Sequence, residues 1–479
     1  MATFAGNMLA YGRDHYGSVH SPLFVNQLDV RTRSLPEPGT GVWHLEATRR
    51  MGGSRTGSNF HFDTGLLRLL QGLSAITGDP RYAQAVEDNL AWLLAHVHAI
   101  PVGQVVRGDR LVLPGGDHLL WDVLEDRPRG NFHEMRSSRL LWPEMFALDP
   151  RATTAEIGTF HAHLVQPETG YAFNRHYPLP LPPGTPPPAP ALSLPSSAGV
   201  YLHGWAFLHA RTGEARYLEW ARGLAGYYWD HRGKETDIPP SSGERGSKRN
   251  AFDTPASRLS YGLEPWRSYV AFLLYVADEL GEEKGVVFRR QAEAFLRAYA
   301  RYGLSADGGF YRVINIDTGK PGGTAAESTP DHAIWRSTRF HQVFATLAWC
   351  YRETRLPELR KVLDVMGEAF SRPEASGRNG QAREIALPLL AFTWLYQATG
   401  DSVFLDKAAP YVTAALERYY RDGFFVSGPA PGQEARCDPW AIYSNRSGSA
   451  HLALAVLRYE LLRAGLDAGL LGDDVVVER

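Results

Sequence analysis

Along most of the chain, apolar side chains recur at three- and four-residue spacing. Leu66, Leu69, Leu70, Leu73 and Ile76 make one stripe, and Ala85, Val86, Leu90, Leu93, Leu94 and Val97 make the next. That spacing puts each set on one face of an α-helix. Between the two stripes stands Thr77-Gly78-Asp79-Pro80-Arg81-Tyr82. The same punctuation returns as Thr212-Gly213-Glu214-Ala215-Arg216-Tyr217 and as Thr399-Gly400-Asp401 ahead of Val403-Phe404-Leu405. Glycine just past a helix takes the left-handed conformation that ends it, and an acid directly afterwards suits the positive end of the next helix. Weaker versions stand at Leu280-Gly281-Glu282 and at Arg352-Glu353-Thr354-Arg355-Leu356-Pro357. Each predicts a tight joint between two helices.

The predicted hairpins join 199–212 to 214–230, 264–280 to 285–302, 334–353 to 357–370 and 384–399 to 402–420, with 131–148 and 155–165 as a shorter pair. The last helix, about 447–465, has no partner after it, and the first, about 2–14, has none before it. The expected fold is all-α, an (α/α) toroid formed by residues 1–479 as a single domain, with seven hairpins if the ends pair and six if they do not. The alternative is an open α-solenoid, which exposes its terminal repeats.

The long connections, 15–60, 101–130, 166–198, 231–262, 303–333, 371–383 and 421–446, all precede the first helix of a hairpin. In a toroid they fall on one rim, around the mouth of the central cavity, where loops on a rigid scaffold carry function. One stretch, 178–195, holds nine prolines in eighteen residues and reads either as a stiff extended flap or as a spacer. Polar side chains cluster where these loops enter the next helix: Asn59, His61 and Asp63; Arg129, Asn131, His133, Glu134 and Arg136; Tyr201 and His203; Arg249, Asp253, Arg258 and Tyr261; Asp331, His332, Trp335, Arg336 and His341; Arg378, Asn379 and Glu384; Tyr443, Asn445, Arg446 and His451.

Composition narrows what such a mouth binds. Fifty cationic side chains nearly balance 52 acidic ones, and no long run of one sign follows a nucleic-acid backbone, so nucleic acid is not an expected partner. Six of the fifty are Lys and 44 are Arg. Arg grips a carboxylate through two parallel bonds, while Asn and His serve hydroxyls, so the recurring set suggests an acidic, hydroxyl-rich glycan. Twelve Trp, 22 Tyr and 21 Phe suit sugar stacking as well as core filling. The two cysteines stand 87 positions apart, and no HExxH, CxxC, GxSxG or Walker loop occurs. Neither a metal, a cofactor nor phosphoryl transfer is expected. No apolar run is long enough to span a bilayer and the first residues lack a secretory pattern, so the expectation is a soluble chain without a membrane partner, cytoplasmic, or exported if a leader has been removed.

Two glycan chemistries remain. β-Elimination at a uronate needs cationic or amide groups on the carboxylate, a base for the C5 proton and an acid for the leaving oxygen. His203, Arg258 and Tyr261 supply these types, with Asn59, His61, Asn131, His133, Arg136, Arg249, His332, Trp335 and Arg336 as candidate substrate contacts. Hydrolysis needs two carboxyl groups across the scissile bond, for which Glu134, Asp253, Asp331 and Glu384 are candidates. A non-catalytic helical scaffold is the third reading.

The opening Tyr11-Gly12-Arg13-Asp14-His15-Tyr16-Gly17, with His20-Ser21-Pro22-Leu23-Phe24 and Gly57-Ser58-Asn59, resembles bacterial α/α-toroid enzymes of uronic-acid glycans. The nearest are the glucuronan and alginate lyases of polysaccharide lyase family thirty-eight, followed by α/α-barrel glucuronidases. The resemblance implies a seven-pair barrel with a His, an Arg, a Tyr and a Glu at its centre. His203, Arg258 and Tyr261 match by type and order, and Glu134 is the candidate for the Glu, although it stands earlier than in that pattern.

Overall fold

The computed structural model describes residues 1–16, 20–36, 58–97, 111–112, 119–122, 127–130, 132–133, 138–163, 177–178, 195–240, 259–260, 268–306, 308–311, 313–322, 329, 338–373, 380–428 and 438–473. The helices are α1 Ala2–Tyr11, α2 Phe60–Thr77, α3 Pro80–Val97, α4 Trp142–Leu148, α5 Pro150–Thr159, α6 Pro195–Thr212, α7 Ala215–Asp230, α8 Val270–Tyr302, α9 Thr338–Thr354, α10 Pro357–Ala369, α11 Ala382–Thr399, α12 Val403–Ala414 and α13 Ser449–Arg463. Helices α2 and α3, α4 and α5, α6 and α7, α9 and α10, and α11 and α12 pack as successive hairpins, and α8 kinks at Gly281, where the backbone leaves helical geometry. Around the inside, α6 packs on α8, α8 on α9, α9 on α11, α11 on α13, and α13 on α2. That last contact closes the ring, so the fold is an α/α toroid and not an open solenoid. Helix α1 lies outside it, against α3 and the chain after α12.

The joints follow the repeated punctuation. Gly78, Gly213, Gly281 and Gly400 have φ between 70° and 73°, and nothing lies within 4 Å of where a side chain would begin, so they are selected by conformation and not by crowding. Threonine supplies a second element. The Oγ1 atoms of Thr77, Thr212 and Thr399 each donate to the carbonyl four residues back and each accept the amide two residues on. Each hydroxyl therefore ties the final turn of one helix to the entry of the next. At the fourth joint Thr354 makes the same pair of bonds, and Arg355 takes the left-handed conformation at φ 56°.

The short pair departs from expectation. Instead of a helix across 131–148, Phe132–His133 is a strand and the helix begins at Trp142, because Pro143 is accepted in a first turn but not inside a helix. Its partner begins early, at Pro150, where the Asp149 carboxylate accepts the Ala152 amide at 2.8 Å.

The long connections also carry strands. Gln27–Asp29 (β1) pairs with Ile442–Ser444 (β12). Ser58–Asn59 (β2), Leu111–Val112 (β3), Leu119–Asp122 (β4) and Arg127–Gly130 (β5) form one sheet in chain order. Phe132–His133 (β6) pairs with Tyr177–Pro178 (β7), Leu259–Ser260 (β8) with Ile314–Asn315 (β9), and Tyr420–Arg421 (β10) with Phe424–Phe425 (β11). The rim is thus braced by small ladders between neighbouring loops. Of the proline-rich stretch, Pro178 ends β7, Pro195 begins α6, and 179–194 lie outside the described residues.

Candidate functional site

The inner helices begin on the rim that carries these ladders, and the first site elements are their opening turns. Asp63, in the first turn of α2, is almost wholly buried. Ser58 donates to its Oδ2 at 2.8 Å and Asn445 Nδ2 to its Oδ1 at 2.6 Å. The Tyr443 hydroxyl in turn donates to Asn445 Oδ1. Burial first, then the Asp63 charge, pushes the Tyr443 phenol well above its ordinary value against the pull of the Asn445 bond, so it stays protonated as a donor. Close packing holds this corner: a side chain on Gly65 would begin 2.8 Å from the His451 ring, and one on Gly448, at φ 88°, 2.5 Å from Arg383. Helices α2, α11 and α13 therefore converge with His61, Asp63, Glu384, Asn445 and His451 all buried, and Arg446 stands 5.7 Å over the Phe62 ring.

Deeper in, His203 sits on α6, 2% exposed, with its ring 5.8 Å from that of Tyr275 and 6.0 Å from that of Phe272 on α8. The Arg139 guanidinium lies 4.2 Å over the Tyr275 ring, so a cation and an imidazole both stand against Tyr275. Burial, then the charges of Arg139 and Arg68, hold the His203 pKa well below its ordinary value and keep the ring neutral. No bond to its Nε2 is formed among the described residues. The same burial and charges make the ring a weak base, and a bound carboxylate, by offsetting the guanidinium charges, would raise its affinity for a proton.

Below lies a nest of charge that the sequence reading missed. Asp473 receives Arg352 Nη1 on Oδ1 at 2.9 Å and Nη2 on Oδ2 at 2.7 Å, with Arg458 Nη2 at 3.3 Å from Oδ1. The Tyr275 hydroxyl donates to the Asp473 carbonyl at 2.7 Å, and Arg458 donates to the carbonyl of Gly472. Burial pushes the Asp473 carboxyl up, but the Arg352 bond and the charges of Arg458, Arg352 and Arg139 outweigh it and the pKa falls. The available signal was an arginine, Arg458, set among apolar neighbours in the last inner helix.

Of the expected residues, His61 and His203 are placed, both buried on inner helices. Asn59 and His133 lie in β2 and β6, where only the backbone course is described. Asn131, Glu134, Arg136, Arg249, Arg258, Tyr261, His332, Trp335 and Arg336 lie outside the described residues, as do Asp253 and Asp331. Tyr201, expected at the cavity, instead packs outward between Phe160 and Trp205, with ring centroids 5.4 and 6.0 Å away. Two positions separate it from His203, which turns it to another side of the helix. Among the described residues no cluster of three His, Cys, Asp or Glu is arranged to hold a metal, and no helix is long and apolar enough to cross a membrane.

Residues 21–185 match a family model described as periplasmic pectate lyase. Among solved structures, a sugar epimerase from a ruminal bacterium is 11% identical with a TM-score of 0.48, covering 97% of each chain. An unsaturated glucuronyl hydrolase from Streptococcus agalactiae is 10% identical with a TM-score of 0.46, over 95% of this chain and 90% of that one. A family 76 glycoside hydrolase (mannosidase) from Bacteroides thetaiotaomicron is 12% identical with a TM-score of 0.45, over 97% and 98%.

Proposed function

We propose that this protein is an enzyme that binds an acidic glycan in the toroid's central cavity and cleaves it by β-elimination next to a uronate. The observation that carries the reading is His203 on an inner helix, its ring 5.8 Å from that of Tyr275, over which the Arg139 guanidinium lies at 4.2 Å. A uronate's C5 proton is acidic only when its carboxylate is neutralised, so the base must be uncharged while the groups around it are cationic. The match of residues 21–185 to a family described as pectate lyase supports the same chemistry and an extracytoplasmic setting. In this reading His203 removes the proton, Arg139 and Arg258 neutralise the carboxylate, and Tyr261 returns a proton to the leaving oxygen. Glu134, Asn59, His61, Asn131, His133, Arg136, Arg249, His332, Trp335 and Arg336 line the approach from the rim. The same reading takes α1 as the outer partner of α13, making seven pairs.

The test is a screen of pectate, glucuronan, alginate and glycosaminoglycans, followed both by ultraviolet absorbance and by reducing ends. Elimination gives a new double bond with each cut, whereas hydrolysis gives reducing ends without it. Tyr261→Phe keeps the ring and removes the hydroxyl. Near-complete loss of double-bond formation in a folded variant supports the assignment. Cuts without absorbance, abolished by Glu134→Gln or Glu384→Gln, replace it with a hydrolase.

A further inference from the structure

The segment after α13 turns back into the ring. A side chain on Gly72 of α2 would begin 2.2 Å from Leu471, Arg68 lies against Gly472, and Asp473 then enters a polar nest built from three inner helices: Tyr275 of α8, Arg352 of α9 and Arg458 of α13. The nest is constructed, not incidental. Arg458 is 1% exposed, an unusual place for a guanidinium, and Gln397 of α11 accepts from both Arg458 and Arg352 at 3.3 and 3.4 Å, fixing the two forks. Arg352 meets the Asp473 carboxylate end-on with two parallel bonds, while its Nε edge is taken by Glu353 Oε1 at 2.8 Å; the end-on fork is the geometry that selects a planar carboxylate over chloride or a neutral hydroxyl.

We propose that Arg352 and Arg458 form a carboxylate-binding site, with Tyr275 holding the adjoining backbone carbonyl, whose resident ligand is the chain's own Asp473, so that the segment after α13 masks a site able to take the carboxylate of a uronic acid. The position suits that ligand, because Tyr275 belongs both to the nest and, through its ring, to the Arg139 and His203 pair. Tethering explains why the site is self-filled: a group held by the adjoining chain acts at an effective concentration in the millimolar range, which a free ligand of ordinary affinity does not overcome. The class of ligand deepens the acidic-glycan reading, but the site is tested by binding and not by turnover, so failure of the lyase chemistry leaves it standing.

The experiment compares the melting temperature of the full chain, Asp473→Ala and Asp473→Asn, with added galacturonate, glucuronate or formate, and with galactose and chloride as controls. The expected result is a lower melting temperature for both variants. Asp473→Ala regains part of the loss in proportion to the logarithm of carboxylate concentration, with neither control acting, while the parent chain does not respond. Arg352→Gln combined with Asp473→Ala abolishes the gain. Equal responses of parent and variant, or a response to chloride as large as to formate, overturn the proposal. If Asp473→Ala does not fold unaided, its refolding is followed with and without formate. A yield that formate leaves unchanged overturns the proposal as well.

Discussion

Arg352 and Asp473, 121 residues apart in the chain, meet through two parallel hydrogen bonds of 2.9 and 2.7 Å across the inside of the ring. The pair links α9 to the final segment, and Arg458 joins it from α13. An ion pair drawn out of water contributes little net stability when intact, and here each member keeps a second partner, Glu353 for Arg352 and Arg458 for Asp473.

Arg458 is the member most removed from water, and its loss takes a donor from Gln397, Gly472 and Asp473 while Arg352 still compensates the carboxylate, so Arg458→Leu should destabilise by about 1–3 kcal/mol. The check is the urea midpoint at unchanged slope. Because the folded-state pKa of Asp473 is depressed, its stabilisation is present above the ordinary carboxylate value and lost as the pH falls through the folded value. Acid titration of stability should therefore be shallower in Asp473→Asn than in the parent chain.

His203 carries the opposite proton chemistry with the same sign in pH. Its folded pKa lies below the ordinary imidazole value, so its contribution is whole above about pH 6.5 and declines as the pH drops towards the folded value, where the buried ring must charge. His203→Gln should flatten that part of the stability profile. If His203 is the base, kcat should fall by a factor of about 10²–10⁴ with the helical circular dichroism retained. Unchanged kcat would assign the residue to packing.

Glu156 on α5 has no exposed surface, and burial raises its pKa well above the ordinary value. A raised carboxyl contributes below its unfolded value and loses that contribution as the pH rises through the folded one. Glu156→Gln should thus remove a loss of stability that sets in as the pH rises above the ordinary carboxylate range, seen as a flatter melting temperature above that range.

The joints separate conformation from crowding. Gly78→Ala and Gly400→Ala should each cost about 1–2 kcal/mol, the strain of a left-handed residue with a side chain. Thr399→Val, which loses one donated and one accepted bond at an exposed joint, should cost about 1 kcal/mol. Gly65→Ala, aimed at the His451 ring, should cost more than any of these unless that ring moves. Chemical denaturation of the four variants ranks them.

The joints were legible because their signal is local: threonine, glycine and an acid in consecutive positions specify a helix end whatever surrounds them. The ring was legible from hairpins that follow one another along the chain, and it closes between α13 and α2. Asp473 was not, because nothing near it in sequence distinguishes it from a surface acid and its partners lie 15 and 121 residues away. His203 and Tyr201, two positions apart on α6, meet different neighbours, Phe272 and Tyr275 for the one and Phe160 and Trp205 for the other, because proximity in sequence does not give side-chain direction. The short pair was misplaced because Pro143 and Pro150 start helices and the apolar count alone does not reveal that.

The ladder between Gln27–Asp29 and Ile442–Ser444, together with the bond from Asn445 to Asp63, has a consequence for the order of synthesis. The first strand waits for a partner made more than four hundred residues later. Hairpins can form one by one as the chain leaves the ribosome, but α2 keeps an apolar side uncovered until α13 arrives. The nascent protein therefore passes through a long interval as an incomplete arc, in which chaperones and proteases meet a surface that the finished ring never shows.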